Sequence, residues 1–136
     1  MKRVFITFLI ISNLILSNCK KDETSERFDF LTTPVWATDS LLANGMDASG
    51  EGGILEKFKG EAKFNMDGTG YFGIYKGIWE LAYDDSQIII TTDSLPIPLT
   101  TQIVELNTLS LKITTGFPNV NNPLEPINIR MTFKSK

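Results

Sequence analysis

The sequence predicts an all-β protein, a small antiparallel up-and-down β-barrel of about eight short strands. Three observations lead there. From Gly60 to Thr92, apolar-rich runs with a period of two alternate with tight polar turns. No long run of helical period interrupts them. The roughly 110 residues behind the N-terminal segment must also hide their sheet edges. Consecutive hairpins do that by closing into a barrel, a sandwich being the other solution.

Residues 1–18 stand apart from the fold. Lys2 and Arg3 precede an apolar run from Val4 to Leu16, broken only by Thr7, Ser12 and Asn13. The run is short for a permanent bilayer span and has the build of a secretory signal. It ends in Leu16-Ser17-Asn18-Cys19, and Cys19 is the only cysteine. This stretch resembles the lipobox of bacterial lipoproteins, with Asn18 where a smaller residue is commoner. The resemblance implies cleavage before Cys19 and lipid attachment to it, hence a membrane partner reached through the lipid. Lys20 to Glu26 is charged and polar, so residues 19–27 read as the lipidated Cys and a flexible tether. Lys21-Asp22-Glu23 resembles the export signal of surface lipoproteins in one large Gram-negative phylum. That implies the outer membrane and cell surface, with a periplasm-facing anchor as the alternative.

Residues 28–136 form the expected barrel domain. Phe28 to Thr38 reads as its first element, with Pro34 confining it to a strand's start or an edge and Trp36 anchoring it in the core. Asp39 to Leu55 holds Gly45, Gly50, Gly52 and Gly53 and reads as a long loop with a helical turn at Ser40 to Ala43. Such a loop is either a lid over a binding site or a solvated connection. Ile54 to Phe58 leads into the meander. Ala62 to Met66 alternates, and Asp67-Gly68 supplies a tight hairpin turn. Tyr71 to Lys76 reads as the return strand, with Tyr71 and Tyr75 on one face and Phe72 and Ile74 on the other. Gly77 then allows a bend or bulge. Trp79, Leu81 and Tyr83 alternate into the Asp84-Asp85-Ser86 turn, and Ile88 to Ile90 reads as a strand covered on both faces. Pro96 and Pro98 bar their segment from a central strand. Thr101 to Leu106, Leu109 to Ile113 and Ile127 to Phe133 supply the last strands, with a Pro/Asn-rich loop from Thr115 to Pro126.

Phe64-Asn65-Met66-Asp67-Gly68-Thr69-Gly70, Gly77-Ile78-Trp79, Gln102 to Leu106 and Leu109 to Lys112 together resemble the lipocalin-like domains of small surface lipoproteins of that phylum. The resemblance spans roughly Leu31 to Phe133 and implies a lipocalin-like barrel used as a binding module. It also implies that Arg130 or Lys134 of the last strand covers Trp36 by a cation–π contact.

Composition narrows the function. The chain has no histidine. Ser-His-Asp and Cys-His catalysis are thereby excluded, and zinc, haem and iron–sulfur sites lose their usual ligands, so no cofactor is expected. Loss of residues 1–18 leaves 11 basic against 16 acidic side chains, a net charge of −5. An acidic domain without a basic stripe argues against nucleic acid. Asp67, Asp84, Asp85 and Asp93 could offer oxygens to Ca²⁺, though their spacing suits turns better. Glu61, Glu80 and Glu105 are candidates for paired-carboxylate hydrolysis, but nothing sets two across one cleft, and the chain reads as a non-enzyme.

The remaining candidate is the barrel interior. Trp36, Phe64, Tyr71, Tyr75, Trp79, Leu81 and Tyr83 could line a pocket for a small hydrophobic or amphipathic ligand entering past Gly45–Gly53, or could simply pack the core. The leading expectation is non-catalytic ligand binding. The alternative is a protein-interaction, accessory or inhibitor module with a filled core, presenting Phe117, Val120 and Leu124. A carrier needs an internal void of about 300 Å³ or more; an interaction module needs an exposed apolar patch.

Overall fold

A computed structural model describes residues 25–136. The signal segment, Cys19 and most of the tether lie outside the described residues. The domain is a closed antiparallel barrel of eight strands with one short extra strand. Its elements are α1 (Glu26–Thr32), β1 (Trp36–Ala43), β2 (Met46–Asp47), a 3₁₀ turn (Glu56–Phe58), β3 (Glu61–Phe64), β4 (Thr69–Phe72), β5 (Tyr75–Ala82), β6 (Gln87–Thr92), β7 (Leu99–Leu106), β8 (Ser110–Phe117) and β9 (Ile127–Ser135). Consecutive strands from β3 to β9 pair with one another, and β1 joins β9 and β3 to close the ring. Strand β2 pairs only with the end of β1 through the Asn44-Gly45 turn, where both residues take positive φ.

The first element corrects the sequence reading. Residues 26–32 form a helix, not the start of a strand, and it begins inside the expected tether. Ser25 caps it, its hydroxyl accepting the Phe28 amide at 3.1 Å. Phe28, Leu31 and Thr32, spaced at i, i+3 and i+4, turn toward the barrel and plug one end, with Leu31 fully buried. The Trp36 indole N–H donates to the Leu31 carbonyl at 3.0 Å, and Arg27 donates to the Asp85 carbonyl in the β5–β6 turn at 2.8 Å. At the helix C-terminus the Lys63 ammonium donates to the carbonyls of Thr32, Thr33 and Pro34. A cation there satisfies carbonyls the helix cannot and complements its dipole.

The strands also depart from expectation in phase. Ser40 to Ala43 is strand rather than helical turn. A register shift between Thr38 and Ser40 lets both Trp36 and Leu41 face inward despite their odd spacing. Strand β4 ends at Phe72, and Gly73-Ile74 makes a two-residue turn with Gly73 at φ +60°. Gly77 lies within β5, opposite Gly70 and Thr92, rather than at a bend. Strand β6 alternates, with Ile88 and Ile90 inside and Ile89 half-buried on the outer face. Strand β9 follows the predicted alternation, burying Ile129, Met131 and Phe133.

Candidate functional site

The seven residues proposed to line an interior pocket divide into three groups. Trp36, Phe64 and Trp79 are buried and Leu81 is half-buried against them, all packed toward the helix-plugged end. Phe64 meets Trp79 edge-on with centroids 5.4 Å apart and Phe72 at 5.2 Å, and Phe28 from α1 lies 5.5 Å from Trp79. The Trp79 indole donates to the Asn65 carbonyl at 3.0 Å, so its one polar atom is satisfied inside the fold. Tyr71 and Tyr83 are not interior. The Gly73-Ile74 turn resets the alternation, which puts Tyr71 on the outer face of β4 beside Lys76. Tyr83 opens the β5–β6 turn at φ +50° and is 76 % exposed. Tyr75 alone of the tyrosines reaches inside, at the other end, where its ring lies 4.8 Å from Phe58.

That other end is the mouth. Residues 48–60 cross part of it, burying Leu55 and Phe58 and fastened by amides of Ala48 to Leu41 and of Ile74 to Lys57. The predicted Gly-rich loop is thus shorter than expected, and Ala48 and Leu55 within it are buried. Beneath this strap lies a cavity of about 60 Å³ among Leu55, Phe58, Tyr75, Leu99, Ile129 and Met131. It is well below the size of a small-molecule pocket. It adjoins an open groove of about 460 Å³ between Leu95–Thr100 and the Thr115–Val120 segment. Leu95, Leu99, Thr115 and Phe117 border both. The groove carries no charged side chain, and Ile97, Phe117 and Val120 stand exposed at its lips, with Leu124 exposed further along the same loop. Sequence reading named Phe117, Val120 and Leu124 but not the facing Leu95–Leu99 lip, whose two prolines signalled only that it was no central strand.

The charged candidates sit elsewhere. Asp67 accepts the Thr69 hydroxyl at 2.6 Å and its amide at 2.9 Å, and those bonds hold its pKa below the ordinary carboxylate value. Asp47 is lowered the same way by the Ser49 hydroxyl and amide. Glu105 accepts from the Ser110 hydroxyl at 2.7 Å and pairs with Lys112 at 3.3 Å, which lowers it too. Glu61 is paired with Lys136, whose pKa is raised by that contact. Glu61, Glu80 and Glu105 occupy β3, β5 and β7, no two of which are neighbours. The expected cover of Trp36 by Arg130 or Lys134 is not made. Lys134 pairs with Asp39 at 3.4 Å, and α1 covers the indole instead.

No protein-family model matches the chain, and no curated protein matches it.

Proposed function

We propose that the chain is a lipid-anchored, non-catalytic recognition module of lipocalin-like build, held at the outer membrane through Cys19, that binds a protein partner at its mouth. One observation carries the choice of partner over interior ligand. The barrel core is filled down to a cavity of about 60 Å³, whereas an uncharged apolar groove of about 460 Å³ is open beside it. Contiguous exposed apolar surface of that kind is what an interaction site offers. The groove's volume also falls within the range of small-molecule sites, which supports binding of an amphipathic ligand at the mouth as the second reading.

The test is site-specific photocrosslinking from residue 120 in membranes of the organism that encodes the chain. A discrete protein adduct that disappears with Ile97→Asp is expected. Absence of any protein adduct, together with a tightly held small-molecule mass on the purified protein, would overturn the reading in favour of the ligand.

A further inference from the structure

The barrel is incompletely zipped where the groove lies. Along β7 the odd-numbered residues hydrogen-bond toward β6, as the Ile103 amide does to the Ser86 carbonyl at 2.9 Å. The even-numbered ones ahead of the bulge between Ile103 and Glu105 therefore face β8. Pairing of β7 with β8 runs up to Gln102↔Thr114 and stops. In the same register the next bonded step would join Thr100 to Gly116. It is not made: the Thr115 hydroxyl takes the Thr100 carbonyl instead, at 2.6 Å. Both strands continue on their other sides, Leu99 beside Ile90 and Phe117 beside Ile127. The amide of Gly116 is thus left without a partner on β7, beside the groove. One step further out on each strand the bonding positions are Pro98 and Pro118, which have no N–H. The gap is one residue deep and cannot template a running sheet.

We propose that this step is a recognition site for one short, extended, uncharged segment of a protein partner, which pairs its backbone with Gly116 and sets one aliphatic side chain in the cavity below. The inference rests on the protein-partner reading above. An unpaired strand amide beside an apolar groove favours a backbone in extended form. The cavity of about 60 Å³ holds roughly four water-sized positions at about 15 Å³ each, the bulk of one leucine side chain. A charge brought into the groove would be desolvated without a partner, since no lining residue is charged. Nor can the tether fill the site. Helix α1 brings the chain in at the plugged end, and the six Cα-to-Cα steps from Cys19 to Ser25 span at most about 20 Å. Strands of eight or nine residues separate the two ends.

A phage-displayed random nonapeptide library, panned on the full processed chain in nanodiscs, tests this. Enriched peptides should share an uncharged stretch with one aliphatic anchor. Methylating the backbone nitrogen at one position near that anchor should weaken binding about tenfold, the worth of one hydrogen bond. Leu99→Phe, which fills the cavity, should abolish binding with the unfolding midpoint retained; Tyr75→Trp serves if that variant fails to fold. No enrichment, or binding indifferent to both N-methylation and cavity filling, overturns the proposal. So does a peptide-independent dimer in sedimentation that Leu99→Phe dissociates, which would make a second copy the occupant. If the residue-120 adduct survives while enriched peptides ignore the cavity, the partner reading stands and this inference alone fails.

Discussion

Gly77 shows at the scale of one residue how tightly the barrel is wound. A Cβ built there would lie 2.0 Å from the Thr91 carbonyl oxygen, and one at the facing Gly70 would lie 2.4 Å from that of Lys63. Two glycines opposite each other let β3 to β6 approach where side chains cannot fit. Gly77→Ala should therefore cost about 1–3 kcal/mol, the range for overpacking a site that cannot relax, read as a lower urea midpoint with an unchanged slope. The sequence makes Gly77 conspicuous but not its role, since a strand glycine marks a bend as readily as a close approach. Trp36 and Trp79 were legible as core because size and apolarity decide burial whatever the register. Tyr71 and Tyr83 were not. Their side depends on where the turns fall: the two-residue Gly73-Ile74 turn puts Tyr71 and Tyr75 on opposite faces, and Tyr83 lies in the turn after β5 rather than in the strand.

At the scale of elements, what could be read was what local chemistry decides. Asp67-Gly68 turns the β3–β4 hairpin, and the regular alternation from Ile127 to Phe133 is β9. Helix α1 could not be read that way, because seven residues are too few to hold a helix by propensity alone. Its Ser25 cap and its i, i+3, i+4 face were in the sequence, but the stabilising partners, Trp36 and Lys63, belong to the folded barrel. The same is true of the groove. The missing Thr100–Gly116 step is a fact about two strands' relative path, and neither strand's sequence contains it. Helix and barrel should be coupled through Lys63. Lys63→Met keeps the aliphatic stem and leaves three carbonyls without their charged donor. We expect a loss of about 1.5–3 kcal/mol, as for hydrogen bonds to a charged group. Amide exchange should quicken across residues 26–32 ahead of the strands. Uniform exchange change throughout the barrel would show instead that α1 contributes nothing separable.

At the scale of the whole molecule, polarity along the barrel axis would relate the proposed anchor to the groove. The chain enters at the plugged end, beside the β5–β6 turn with Asp84 and Asp85, and the apolar mouth lies at the other. In the proposed form, tethered through Cys19, the protein would present its groove away from the bilayer that holds it. With residues 1–18 removed, as in the proposed form, a net charge of −5 would oppose attraction to anionic lipid. No helix among the described residues is long and apolar enough to cross a membrane. Membrane affinity in the proposed form then rests on the acyl chains, at about 0.8 kcal/mol per buried CH₂, with more than one chain needed for stable attachment. Cys19→Ser should consequently shift the protein wholly from the alkali-washed membrane pellet to the soluble fraction. Its intact mass should show the loss of the lipid. Its far-UV spectrum and unfolding midpoint should match those of the anchored form. Retention of the Ser form in the pellet would remove the anchor from the argument, and with it the reason for the mouth to face outward.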